Sequence, residues 1–167
     1  MDSEIRNTIL QKIREKLGDD LHSVYEEYAY PLLRINRERL HETCRFLKDE
    51  LHFIYLNDVF GTDRFTSVDR FEVIYHMLSL REQQRLFLKV YVDEENPVLP
   101  TVSDIWKSAN WNEREVFDMF GIQFEGHPDP RRIFLPEDFK YYPLRKEFPL
   151  LGVPGSLELP SSIPDHD

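Results

Sequence analysis

Arg70-Phe71-Glu72-Val73-Ile74-Tyr75-His76-Met77-Leu78-Ser79-Leu80, then Arg81-Glu82-Gln83-Gln84, then Arg85-Leu86-Phe87-Leu88-Lys89-Val90-Tyr91-Val92-Asp93 reads as a β-hairpin. Both arms are rich in β-branched and aromatic residues, and the polar stretch between them is a loop. In the second arm Leu86, Leu88, Val90 and Val92 share one side, with Arg85, Phe87, Lys89 and Tyr91 on the other. Successive strand residues point to opposite faces, so one face of the hairpin is buried and the other partly wet. The buried face needs a covering layer, and the flanking sequence supplies it.

Upstream, Ile5, Ile9, Ile13 and Leu17 recur every four residues and Gly18 follows as a C-cap, which predicts an amphipathic helix. The stretch from Leu21 to Ile35 is strand-like, including Tyr28, and bends at Pro31, a residue suited to an edge or bulge. Asn36 caps a second expected helix with Leu40, Cys44, Leu47 and Leu51 on its apolar face. Phe53 to Phe60 reads as a further strand, with turns at Asn57-Asp58 and Gly61-Thr62-Asp63. The expected fold is therefore α+β: an antiparallel sheet with two helices packed on one face. A short helical segment and a Pro-rich extended C-terminal region follow it.

Proline marks the change of character. Only Pro31 precedes residue 97, and the other ten of the 11 prolines lie from Pro97 to Pro164. The chain divides accordingly into an α+β domain at 1–96, a segment at 97–149 packing on it and on partners, and an extended arm at 150–167. Leu151, Val153, Leu157, Leu159 and Ile163 make that arm more apolar than free disorder usually is.

Composition removes several functions. A net charge of -10 argues against a nucleic-acid binder, which clusters Lys and Arg against phosphates. Cys44 is the single cysteine, so a four-thiolate iron–sulfur cluster or a Cys-based zinc site cannot be held by this chain alone. The six glycines never occur as G-x-G, which leaves no dinucleotide fingerprint or phosphate-cradling loop. No apolar run nears the ~20 residues that span a bilayer. The acidic start Met1-Asp2-Ser3-Glu4 lacks secretion-signal features, so a cytoplasmic location is expected.

Within 97–149, Ser103 to Trp106 suggests a short helix, and Asn112 with Glu115 resembles a capping box opening a better one that stops at Gly121. Val116, Phe117, Met119 and Phe120 form its apolar side. Glu113, Arg114, Glu115 and Asp118 read as a charged helix face packing against the loop that follows. Arg114 and Asp118, four apart, suit a surface pair of ~0.2–0.5 kcal/mol. Proton-handling groups, or a buried Arg114–Glu115 pair, are the alternatives. Ile122 and Phe124 alternate as a short strand up to Gly126. Pro128, Pro130, Pro136, Pro143 and Pro149 then prevent continuous helix or central strand. Phe134, Leu135, Phe139, Leu144 and Phe148 are the expected apolar anchors of that stretch, together with its charges.

The runs Ala109-Asn110-Trp111-Asn112-Glu113-Arg114-Glu115, Asp118-Met119-Phe120-Gly121-Ile122, Phe124-Glu125-Gly126-His127-Pro128, Arg131-Arg132, Pro136-Glu137-Asp138 and Pro143-Leu144-Arg145-Lys146 closely resemble the signature of the thirty-kilodalton family, the C subunit of respiratory complex I. The match is dense over about 97–150. Phe139 stands where the family usually has tryptophan, and Lys140-Tyr141-Tyr142 replaces a stretch usually containing glycine. On this resemblance Glu113, Arg114, Glu115, Asp118, Gly121, Gly126 and His127 are the structural signature.

The resemblance implies a non-catalytic structural and assembly component in the peripheral arm of a proton-translocating NADH:quinone oxidoreductase. It would lie on the cytoplasmic side of a bacterial inner membrane as a peripheral protein. Its partners would be other peripheral-arm proteins, chiefly the quinone-site D subunit and the iron–sulfur B and I subunits. No cofactor is expected in this chain, whereas the whole complex would carry FMN and iron–sulfur clusters. No catalytic, cofactor-binding or metal residue is assigned. Arg131, Arg132, Arg145 and Lys146 are the candidate partner-binding residues, because segment 127–147 holds five basic side chains against four acidic in an otherwise acidic chain. The alternatives are the equivalent protein of a membrane-bound hydrogenase or ferredoxin-linked relative, a small metal-dependent hydrolase using His127 with Asp129, Glu137 and Asp138, and an adaptor unrelated to respiration. Cys44 is expected as a small buried hydrophobe.

Overall fold

The computed structural model describes residues 2–26, 30–150 and 152. Tyr28 and nearly all of the expected C-terminal arm lie outside those residues. Helix α1 (Asp2–Leu17) is followed by strands β1 (Leu21–Tyr25) and β2 (Leu32–Ile35), then helix α2 (Leu40–Asp49). Strands β3 (Tyr55–Asp63), β4 (Phe71–Ser79), β5 (Gln84–Val92) and β6 (Val98–Pro100) lead to helix α3 (Ala109–Phe120) and strand β7 (Gln123–Glu125).

The hairpin forms as its alternation demands. β4 and β5 pair antiparallel from Phe71↔Val92 to Ser79↔Gln84, and Leu86, Leu88, Val90 and Val92 are all 0% exposed. Each such side chain, taken out of water, contributes about 1.5–3 kcal/mol. Ile9, Leu10, Ile13 and Leu17 of α1 and Leu40, Cys44 and Leu47 of α2 pack in the same core as the sheet. That core continues through Trp106, Val116, Phe120 and Phe124, so α3 belongs to it as well.

Among the described residues the main sheet has the order β1-β2-β5-β4-β3. It is mostly antiparallel, but β2 runs parallel to β5, with Leu33 opposite Leu88. The connection from β2 through α2 enters the sheet at its far edge, and the β3–β4–β5 meander then returns beside β2. A second, small sheet pairs β6 with β7 in parallel.

Local departures from expectation have local causes. Asn36 does not cap α2; a short 3-10 turn, Arg37–Arg39, intervenes. The Asn36 amide instead donates to Asp20 Oδ1 at 2.9 Å, and its oxygen faces His22 Nε2 at 2.6 Å, tying the turn after α1 and the start of β1 to the end of β2. β3 runs straight through the expected turns, with a bulge between Leu56 and Asp58. Gly61 is needed there as a strand residue, because a Cβ would come within 2.8 Å of the Phe120 ring. Ser103–Trp106 is a series of turns, and α3 starts at Ala109, earlier than Asn112.

Candidate functional site

Helix α3 carries the site. It ends at Gly121, whose φ of +77° is the left-handed cap glycine tolerates best. A Cβ at Gly121 would also meet the Tyr142 ring at 2.6 Å and Arg145 at 2.9 Å, so the Pro-rich segment folds back directly over the end of α3. Gly126, at φ +81°, turns the chain out of β7 into that segment.

Segment 127–149 is held by charged side chains reaching its backbone. Asp118 is 0% exposed, and its Oδ2 accepts the N–H groups of Ile133 (3.2 Å), Phe134 (2.8 Å) and Leu135 (3.0 Å). Its Oδ1 takes the Arg132 guanidinium at 2.6 Å. Burial by itself would push this carboxyl up. The N–H groups of Phe134 and Leu135, then Arg132 and Ile133, outweigh it and hold the group below the usual carboxylate range.

One turn earlier on the same face, Arg114 does the converse. It donates to the carbonyls of Arg131 and Arg132, both at 2.9 Å, and pairs with Asp129 at 3.2 Å. Arg114 and Asp118 therefore do not form the expected i,i+4 pair with each other; each satisfies the segment instead. The alternative Arg114–Glu115 buried pair is also absent from these contacts, since Glu115 is exposed.

A second clamp sits at the end of β3. Asp63 binds Arg70 through both oxygens, at 3.0 and 2.8 Å, and accepts the Lys146 N–H at 2.8 Å. Burial raises the Asp63 carboxyl, but Arg70 and the N–H groups of Lys146 and Phe65 bring it down to about 2. Arg70 also contacts Glu147 and Glu94, and Arg145 Nε donates to the Phe120 carbonyl at 2.7 Å. The Tyr142 ring is flanked by the guanidinium carbons of Arg145 at 4.7 Å and Arg132 at 5.1 Å.

This placement divides the four candidate partner-binding residues. Arg132 and Arg145 turn inward, while Arg131 and Lys146 remain exposed, Arg131 paired with Asp129 at 2.7 Å. Two of the expected apolar anchors are exposed, Phe134 at 64% and Leu144 at 53%. Leu135, Phe139 and Phe148 are half-buried, and Phe139 and Phe148 form a small aromatic cluster with Tyr141, with ring centroids 5.7–6.4 Å apart. Sequence reasoning missed Asp63 and Arg70 altogether. Their signal was weak: a carboxylate and a guanidinium flanking a β-turn region, with partners some eighty residues downstream.

Glu113 and His127 lie side by side. Glu113 is 0% exposed; its Oε1 accepts the Val102 N–H at 2.7 Å, and its Oε2 meets the Thr101 hydroxyl. Burial pushes the carboxyl up to about 7, although Thr101 and Val102 pull against it. His127 Nδ1 accepts the Asp129 N–H at 3.0 Å, so its Nε2 carries the proton and donates to the Asn110 carbonyl at 3.1 Å. Both ring nitrogens are thus occupied by backbone. Among the described residues no three His, Cys, Asp or Glu side chains gather as a metal site, and His127, Asp129, Glu137 and Asp138 are not brought together as one. Cys44 is fully buried, and burial pushes its thiol well up, which fits a packing role. A cavity of about 490 Å³ opens beside α3, walled by Val98, Phe117, Phe124 and Pro130 and reaching Glu113 and His127. No helix among the described residues is long and apolar enough to cross a membrane.

Comparison with known proteins agrees with the family resemblance. Residues 33–153 match the family described as the respiratory-chain NADH dehydrogenase, 30 Kd subunit. The NADH-quinone oxidoreductase C subunit of Roseiflexus sp. (strain RS-1) is 43% identical over 145 residues, covering 86% of this chain and 83% of that protein. The solved trypsin-resistant fragment (1–134) of Nqo5 superposes with a TM-score of 0.65 at 38% identity, over 77% of this chain and 99% of the fragment. A chain of an archaeal respiratory complex, the membrane-bound sulfane sulfur reductase, shares the fold at a TM-score of 0.74 and 24% identity, over 87% of this chain and 86% of that one. The clamped helix, the glycine stop and the folded-back Pro-rich segment are thus set in a chain that belongs to the 30 Kd subunit family of respiratory-chain NADH dehydrogenases.

Proposed function

We propose that this chain is a non-catalytic subunit of a proton-translocating NADH:quinone oxidoreductase, serving to hold neighbouring subunits in fixed positions. The observation that carries the reading is its likeness, over most of its length, to the C subunits of such enzymes. The geometry supports a positioning role. Asp118, Arg114 and Asp63 fix an extended segment that has little hydrogen bonding of its own, so it is rigid before any partner arrives. Pre-organisation of that kind lowers the ordering cost of docking.

The same segment and α3 expose Trp111, Phe134, Tyr141 and Leu144, with Arg131 and Lys146 also at the surface. Aromatic and arginine side chains are enriched in protein interfaces. In this reading the partners are the quinone-site D subunit and the iron–sulfur B and I subunits, on the cytoplasmic face of a bacterial membrane. FMN and the clusters belong to other chains of the complex, and this chain turns over nothing alone.

The second reading, a subunit of a membrane-bound hydrogenase or ferredoxin-linked relative, is compatible with the fold shared with a chain of the archaeal reductase. Purifying the tagged chain with its associated proteins from membranes separates the two. NADH oxidation coupled to quinone reduction in that material supports the first reading. Hydrogen evolution or ferredoxin-dependent turnover without NADH oxidation supports the second, and recovery of the chain alone contradicts both.

A further inference from the structure

Glu113 and Asp118 are both 0% exposed on one helix, yet their surroundings differ in kind. Asp118 has a guanidinium and three N–H donors. Glu113 has one N–H, from Val102, and one hydroxyl, from Thr101. Among the described residues no lysine or arginine pairs with Glu113; Arg114, next to it in sequence, is directed to Asp129 and the 131–132 carbonyls. His127 lies beside it, with Nε2 3.7 Å from Glu113 Oε2; burial holds that imidazole below the usual histidine range, and its Nε2 donates to Asn110. Tyr75 from β4, Cys44 from α2 and Asp104 from the 101–108 loop complete the ionisable surroundings, and none supplies positive charge. A buried carboxylate in such a place favours its protonated form.

The hydrogen bonds around it also run outward. Thr101 Oγ1 lies between Glu113 Oε2 and Ser103 Oγ, which is 2.8 Å away, and it also accepts the Ser103 N–H at 3.1 Å. Ser103 is half-buried, at the edge of solvent. We propose that Glu113 reversibly binds one proton, exchanged with solvent through the hydroxyls of Thr101 and Ser103.

Both states leave every group in the chain paired. When Glu113 is protonated, its O–H donates to Thr101 Oγ1, and the Thr101 hydroxyl donates to Ser103. When it is ionised, Ser103 O–H donates to Thr101, and Thr101 donates to the carboxylate. Release passes the Glu113 proton to Thr101, the Thr101 proton to Ser103 and the Ser103 proton to water; uptake is the reverse. One proton is exchanged with bulk water and no other bond changes. The remaining acceptor, Oε1, keeps the Val102 N–H in both states. The burial-driven rise of the Glu113 carboxyl to about 7 puts this exchange in the neutral range.

The test is a carbon-13 titration of the glutamate side-chain carboxyls in the full-length chain between pH 5 and 9, assigned through the backbone so that no variant is required. The expected result is that Glu113 changes with a midpoint near 7. Thr101→Val removes the hydroxyl at nearly constant shape. It should raise that midpoint by about one unit and broaden the Glu113 signal as exchange slows. Absence of any Glu113 titration between pH 5 and 9 would overturn the proton site. A neutral-range titration that Thr101→Val leaves unchanged would overturn the hydroxyl path.

Discussion

The Arg132 guanidinium lies 2.6 Å from one carboxylate oxygen of Asp118, whose other oxygen gathers the N–H groups of the three residues after that arginine. A single buried charge therefore fixes a four-residue stretch that has neither helix nor sheet to fix it. Orphaned backbone donors are costly when buried, and a carboxylate with several acceptor sites resolves three at once.

Asp118→Ala should be among the most damaging single changes. It strands the Arg132 charge and three N–H groups, and breaking one side of such a pair typically costs about 3–5 kcal/mol. Chemical denaturation would measure the loss. Trypsin cutting after Arg131 and Arg132 should also accelerate well before global unfolding; unchanged cutting would mean that the segment is held by something else.

Two glycines should respond differently to alanine. At Gly121 a Cβ both strains the left-handed backbone and collides with Tyr142 and Arg145. At Gly18, φ is +50° but nothing lies within 4 Å of the added carbon. Gly18→Ala should cost about 1 kcal/mol from backbone strain. Gly121→Ala should cost at least twice that, read as the difference in melting temperature between the two variants.

Stability should bend with pH in two opposite senses. Asp63 has its carboxyl depressed to about 2, so its contribution is complete above the ordinary value near 3.8 and is lost as pH falls toward 2. Glu113 is raised from 4.5 to about 7; the native state holds that proton more tightly, so its contribution is full below 4.5 and is lost as pH rises through 7. The Glu113 part amounts to about 3 kcal/mol at most. Denaturation midpoints of the protein and of Glu113→Gln, compared from pH 4 to 8, should show the neutral-range decline flattened in the variant.

Legibility followed the range over which each feature is determined. The β4–β5 hairpin was readable because alternation is local: Leu86, Leu88, Val90 and Val92 announce their face without reference to the rest of the chain. Gly121 was readable for the same reason. The start of α3 was misplaced because Asn112 and Glu115 satisfy capping rules that an interior turn satisfies equally well. Asn112 in fact donates to Asp58, fifty-four residues away. The parallel β2–β5 pairing depends on where α2 delivers the chain, which no periodicity encodes. The Pro-rich segment is expected to be fixed by apolar side chains and by its charges. Of these, Phe134 and Leu144 are exposed, and the charged Arg132 and Arg145 do anchor it. The rest of its attachment is by backbone hydrogen bonds to Asp118, Arg114 and Asp63. Such bonds join any residue type at the backbone end, so the sequence of the segment carries no trace of them.

Arg131 and Lys146 are exposed, whereas Arg132 and Arg145 are built into the chain's own structure. The double variant Arg131→Glu with Lys146→Glu should therefore leave the melting temperature of the chain within about 0.5 kcal/mol equivalent, as surface changes usually do. It should still reduce recovery of the chain in membrane complexes on a native gel. Arg145→Ala should lower both together. A double variant that assembles normally would remove these two side chains from the docking surface.

Backbone amide hydrogen exchange on the isolated full-length chain tests the central claim, that buried charges of the domain pre-form the Pro-rich docking segment. The amides of Ile133, Phe134, Leu135 and Lys146 should be protected although none lies in a helix or strand, and Asp118→Asn should release the first three while leaving Lys146 slow. Exchange of all four at the rate of an unstructured chain would contradict the account.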